Sequence, residues 1–209
     1  MNVLKNIFRR MFLKKSGYKL PKDYSAKFFK SIKKYKVYNI DMHPYLRNFL
    51  KPDNKIKFSD YEVYLVYSNN GGYGNFEGIY HDAKYSFILV KSGLEKVFIK
   101  QKALACIGFD LGLDRGLENS IIIKQIQGVS GEQNDLSYFH WTKMLLKICV
   151  DWAKDNGFKN AYVIRAKNSS WYIAEGERSK NMFMRYDVTA RRSGFKFDKK
   201  KKMYFLPLS

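Results

Sequence analysis

The sequence predicts a mixed α/β domain over residues 59–209, preceded by a basic, mainly helical extension over residues 1–58. Three observations predict it. The chain has 209 residues, about 1.4 average domains, so one domain with something left over is expected. Apolar residues make up 45% and aromatics 17%, with 16 Tyr, 16 Phe and 3 Trp. That is enough for a core that needs no disulfide. The C-terminal half alternates β-branched runs with helical periodicity in the order strand, loop, helix, strand, helix, strand, a pattern in which helices cover a sheet.

Taken in order, MNVLKNIFRRMFLKKS places Val3, Leu4, Ile7, Phe8, Met11 and Phe12 at helical spacing, with Lys5, Arg9, Arg10, Lys14 and Lys15 over the rest. This predicts a short basic amphipathic helix. Residues 22–36 predict a second, with Phe28, Phe29 and Ile32 inward. Pro44 and Pro52 bracket a short element, after which YEVYLVYS (61–68) alternates as a strand and SNNGGYG (68–74) reads as a turn. KYSFILVK (84–91) and KALACIGFDLGL (102–113) are further strands, and SIIIKQIQG (120–128) is a β-branched run suited to the centre of a sheet. The strongest helix runs from Leu136 to about Asn156: Tyr138, Trp141, Leu145, Ile148 and Trp152 recur every three or four residues, Asp135 is placed to cap its start and Gly157 to stop it. NAYVIRA (160–166) returns as a strand, 182–193 as a helix ended by Gly194, and MYFLPL (203–208) as a closing strand. Lys199–Lys202, after Asp198, read as the positive tip of a hairpin.

Charge separates the two parts. Lys and Arg number 39 against 19 Asp and Glu, a net +20; residues 1–58 hold 16 basic and 3 acidic residues, a net +13, which leaves +7 for residues 59–209. Such a field draws polyanions, whether nucleic acid, an anionic membrane face or an anionic cofactor. No run approaches the roughly 18 uninterrupted apolar residues of a membrane span, and no signal-peptide core is present, so a cytoplasmic location is expected. Cys106 and Cys149 stand in apolar contexts without a CxxC, and His43, His81 and His140 lack ligand spacing. Buried thiols and no metal site are the expectation.

The order of elements from residue 60 onward resembles the GCN5-related N-acetyltransferase superfamily. SIIIKQIQG resembles its central strand, VSGEQND (129–135) its pyrophosphate-binding loop, and LSYFHWTKMLLKICVDWAKDNGF the long helix that follows; RYDVTARRSGFKFDKKKKMYFLPL has the family's closing helix, Gly-Phe pair and last strand. The resemblance implies a mixed, mostly antiparallel central sheet flanked by helices, and acetyl-CoA or another acyl-CoA as cofactor. A small-molecule or protein amine would be the acceptor. A loop before a helix offers unpaired N–H groups and the positive helix end to phosphate. The residues placed there are Gln127, Gly128, Val129, Ser130, Gly131, Gln133 and Asn134. Their loop departs from the family's Gly-rich pattern, and Glu132 and Asp135 bring negative charge beside the expected phosphates. The family's general-acid tyrosine lies four residues before the terminal glycine. Here that residue is Ala190, and Tyr186 is the nearest phenol, one turn earlier. Tyr186 is therefore the candidate acid, and Glu132 and His140 are the candidate bases.

Two readings stay open beside the enzyme. In one, the chain is a non-catalytic nucleic-acid-binding protein, with Tyr18, Tyr24, Phe28, Phe29, Tyr35 and Tyr38 interleaved with lysines for stacking. In the other, residues 1–58 attach the protein to an anionic membrane surface.

Overall fold

The computed structural model describes residues 38–39, 61–67, 72–73, 76–91, 101–138, 140–169, 171–174, 176 and 179–208. The helices expected within 1–36, the 43–52 element and most of the 68–74 turn lie outside the described residues. In chain order the strands are β1 (Tyr38–Asn39), β2 (Tyr61–Tyr67), β3 (Gly72–Tyr73), β4 (Phe76–Glu77), β5 (Tyr80–His81), β6 (Tyr85–Lys91), β7 (Gln101–Leu111), β8 (Ser120–Gly128), β9 (Asn160–Ile164), β10 (Lys196–Asp198) and β11 (Met203–Pro207). One sheet runs β1-β2-β6-β7-β8-β9-β11-β10, with β4 pairing β7 off that path and β3 pairing β5 separately. Along the path every pair is antiparallel except β8 with β9. The sheet is mixed and mostly antiparallel, as expected, and helices flank it.

Hydrophobic patterning sets how deep each strand lies. β2 alternates buried Tyr61, Val63 and Leu65 with half-exposed Glu62, Tyr64 and Val66, as a strand with one covered face must. In β6 the run Tyr85–Val90 is buried without a break, so both of its faces are covered. On one face Phe87 and Phe109 meet Trp152, with ring centroids 5.9 and 5.1 Å away. Trp152 belongs to the helix α2 (Trp141–Asp155), whose Leu145, Ile148 and Cys149 are also buried. On the other face Ile88, Val90 and Cys106 pack with Phe76, Ile79 and Val129. Removing a ring such as Phe87 from the first core would cost about 3–5 kcal/mol. Cys106 and Cys149 are both buried free thiols.

Gly157 ends α2 as expected. Its φ of 78° lets the Phe158 N–H reach back to the Ala153 carbonyl at 3.0 Å and drops Phe158 against Trp152, a helix stop that a left-handed residue makes cheap. The start differs from expectation. A separate four-residue helix, α1 (Gln133–Leu136), comes first, and α2 begins only at Trp141. Asp135 does not cap α2. Its carboxylate pairs with the Lys91 ammonium at 3.0 Å and accepts the Tyr61 hydroxyl at 3.3 Å. Tyr61 and Lys91 are register partners on β2 and β6, so α1 is tied to the sheet edge and the chain restarts its helix four residues later.

The segment that follows β9 contains the short helix α3 (Trp171–Ala174). The helix expected over 182–193 begins earlier, as α4 (Ser179–Phe183), passes through a π-helical turn (Met184–Val188) and finishes as α5 (Thr189–Arg192). β10 and β11 form the expected hairpin, its turn held by the Asp198 carboxylate accepting the Lys201 N–H at 3.0 Å.

Candidate active site

Strand β8 has two halves. Ile121–Ile123 pair with β7 on one side and, with Ser120, pair with β9 on the other, ending at Ile123 opposite Val163. On the β7 side Phe109 faces Ile123 and Gly108 faces Gln125, which leaves Lys124 as an inserted bulge residue. A bulge bends its strand and adds twist. From Lys124 onward β8 runs on without β9, which ends at Ile164, one residue past Val163.

Side chains of this second half fasten the Gly78–Asp82 segment to it. Lys124 Nζ donates to the Asp82 carbonyl at 3.1 Å and to the Asp110 carboxylate at 2.9 Å. Gln125 Nε2 donates to the Tyr80 carbonyl at 2.6 Å, while its Oε1 accepts the Asp82 N–H at 3.1 Å. Gln127 Nε2 donates to the Gly78 carbonyl at 3.2 Å. Polar side chains in a central strand are thereby satisfied by backbone groups of this segment.

The backbone edge of β8 beyond the end of β9 is met by Tyr186. Its hydroxyl accepts the Ile126 N–H at 3.0 Å and donates to the Lys124 carbonyl at 3.1 Å. One phenol thus supplies both hydrogen bonds that a continued β9 would have made. Burial pushes this phenol well above the usual tyrosine range. The next residue, Asp187, is buried and accepts the Ala166 N–H at 2.9 Å, Arg165 Nε at 3.2 Å and the Tyr204 hydroxyl at 2.9 Å. The π turn directs these neighbouring side chains to β8 and to the loop after β9. Such a turn is an irregularity characteristic of working sites.

A cavity of about 960 Å³ opens beside the second half of β8. Gln127, Gly128, Val129, Ser130 and Gln133 line it, as do Tyr186 and His140; Gly131, Asn134 and Glu132 do not. Gly128 stands at a close approach. A Cβ there would come within 3.1 Å of Leu136 and 3.2 Å of Trp141. The first turn of α2 lines the cavity with His140, Trp141, Thr142 and Lys143, and the C-terminal helices add Arg185 and Arg192. The Thr189 hydroxyl, 3.3 Å from that of Thr142, holds the two groups together. The acidic loop charges noted in the sequence are absent from this lining, because Asp135 faces Lys91 and Glu132 sits outside it.

Asp82 is the acidic residue of the lining among the described residues. Its Oδ2 accepts the Trp171 Nε1–H at 2.8 Å. Burial raises its carboxyl above the ordinary aspartate range, against the Trp171 hydrogen bond and the charges of Lys124 and His81. Beside it, buried His81 has Nδ1 3.3 Å from the Ser86 hydroxyl, and burial lowers its basicity. Sequence reasoning missed Asp82. Its partners Gln125 and Trp171 are 43 and 89 positions away, so no local pattern marks it. Trp171 carried a signal, as a large aromatic in a polar stretch, and it is 44% exposed.

The fold and cavity define the class: a mixed sheet with one parallel pair on its central path, and a cavity lined by the half of β8 beyond that pair and by a helix N-terminus. No protein-family model matches the chain, and no curated protein matches it. Among solved structures it is similar to a GNAT family N-acetyltransferase from Escherichia coli in complex with CoA, at 7% identity and a TM-score of 0.37 over 61% of this chain and 60% of that one. It is also similar to an acetyltransferase of the GNAT family from Staphylococcus aureus, at 17% identity and a TM-score of 0.34 over 60% of this chain and 68% of that one. The chain thus spans 60% of the length of the E. coli protein. Among the described residues no group of His, Cys, Asp and Glu is arranged to hold a metal ion, and no helix is long and apolar enough to cross a membrane.

Proposed function

We infer that this chain is an acyl-CoA-dependent N-acyltransferase that acylates an amine. The observation that carries the reading is that the second half of β8, unpaired with β9, lines the same cavity as the N-terminus of α2. The residues present fit an acyl-CoA. Lys143, Arg185, Arg192 and the first turn of a fifteen-residue helix offer positive charge and backbone donors to phosphates. The backbone alternation that turns the Ile126 N–H toward Tyr186 turns the Gly128 N–H to the same side of the strand.

When bound, acyl-CoA supplies a thioester carbonyl as electrophile. Asp82 takes the proton of the attacking amine, its raised carboxyl being better matched to that task than an exposed aspartate. His140, on the cavity wall, is the alternative base. The Gly128 N–H is the backbone donor for the developing oxyanion. Tyr186 occupies the β8 edge beyond the end of β9, and its proton is directed to the Lys124 carbonyl, so the general-acid role requires that bond to break.

Calorimetry and thermal unfolding with acetyl-CoA and longer acyl-CoAs test the reading. Heat and a raised melting temperature are expected. Neither effect at millimolar ligand would overturn it.

A further inference from the structure

We propose that the Asp82, Tyr80 and Trp171 corner of the cavity is a cation site that takes the acceptor as a primary ammonium on an apolar stem. The inference rests on the acyltransferase reading for the ligand's fate, whereas its binding requires only these three residues.

Charge comes first. Asp82 carries the negative charge of the lining among the described residues, and no lysine or arginine of the lining forms an ion pair with it. The nearby Lys124 ammonium is taken by the Asp110 carboxylate at 2.9 Å. One carboxylate oxygen of Asp82 accepts the Trp171 indole N–H at 2.8 Å. The other has no hydrogen-bond partner among the described residues, which leaves an acceptor for an ammonium.

Shape comes second. The Tyr80 and Trp171 rings stand 5.9 Å apart at 75°, edge to face, and both line the cavity. Two aromatic walls beside a carboxylate hold alkyl carbons and attract a cation over the ring face. An uncharged alcohol gains the walls without the carboxylate, and an acidic acceptor is repelled.

Rigidity comes third. The single Gln125 side chain bonds the Tyr80 carbonyl at 2.6 Å and the Asp82 N–H at 3.1 Å, so both residues are fixed to β8 before any ligand arrives. Trp171 is in turn fixed by Asp82. A site set in advance loses less freedom on binding.

The test is calorimetry on the full chain without cofactor, using pentylamine, Nα-acetyl-lysine amide and pentanol. At least one amine should bind, with pentanol at least about tenfold weaker. Tighter pentylamine assigns the site to a free small amine, and tighter acetyl-lysine amide assigns it to a lysine side chain. Asp82→Asn keeps an acceptor for the Trp171 N–H and should weaken the amine about tenfold or more. Trp171→Ala, at an exposed residue, should weaken it about threefold or more. Equal affinity for amine and alcohol, no amine binding, or no change in both variants overturns the proposal. A separate acetyl-CoA titration keeps the two readings apart: amine binding without acetyl-CoA binding removes the transferase and leaves the cation site standing.

Discussion

The two halves of β8 differ by one neighbour and by the residues that follow from it. Ile121, Ile122 and Ile123 are paired on both sides and fully buried. Lys124–Gly128 keep β7 but lose β9, and there the sequence changes from Ile-Ile-Ile to Lys-Gln-Ile-Gln-Gly. A strand flanked by two others has only side-chain burial to contribute. A strand that has given up one neighbour has backbone groups and polar side chains to direct at a cavity. Stability should therefore reside mainly in the first half, and chemistry in the second half and the residues fastened to it.

The largest expected effect is on chemistry. Asp82→Asn should lower turnover by about 10²–10⁴-fold, the usual contribution of a positioned base, while the protein stays folded. The pH dependence has a definite sign. Because burial raises the carboxyl of Asp82, the folded state favours its protonated form. Asp82 thus assists folding below its ordinary range and loses that contribution as pH rises through its raised value. The Asn variant should then be slightly more stable than the wild type at neutral pH, with the advantage fading on acidification. Wild-type turnover should fall as pH drops through the same raised value. A wild-type rate that stays flat down to the ordinary aspartate range would remove Asp82 as the base.

In the first half the order should reverse. Ile122→Ala should cost about 2–5 kcal/mol of unfolding free energy in a denaturant titration, with turnover per folded molecule unchanged. A comparable loss of turnover in a folded Ile122 variant would break the division between the halves. Tyr186→Phe falls between them. It strands the Ile126 N–H and the Lys124 carbonyl in a buried position, which costs about 1–3 kcal/mol. As the group that covers the open edge of β8 on the cavity wall, Tyr186 should also weaken acetyl-CoA binding when changed. Unchanged stability with a fall in turnover alone would return it to the general-acid role.

How legible each part was follows from the range of its contacts. The strands and α2 were readable because the periodicities of Tyr61–Tyr67 and Leu145–Trp152 are local. β8 was bounded at Ser120 and Gly128 from its β-branched run and its glycine. The start of α2 was misread because Asp135, a good cap by type, is claimed by Lys91 and Tyr61, which are 44 and 74 positions away. The bulge at Lys124 has no sequence signature, since it arises from register with β7. For the same reason Asp82 passed unnoticed, whereas Tyr186 was reached only as the phenol nearest to Ala190, the position four residues before Gly194.

The smallest effect should come from the cationic wall, and it separates field from contact. Arg192 lines the cavity but is exposed, so its attraction for a phosphate is weakened by water and ions. Arg192→Gln should weaken acetyl-CoA about threefold at low salt, with the difference vanishing at high salt and no change in melting temperature. The Asp82 variant should leave acetyl-CoA affinity unchanged at either salt level, because Asp82 faces Trp171 and Tyr80 rather than the first turn of α2. If the salt-dependent loss appeared instead with Asp82→Asn and not with Arg192→Gln, the phosphates would lie elsewhere. The anionic and cationic walls would then have no separate ligands, and the second half of β8 would lose the polarity that distinguishes it from the first.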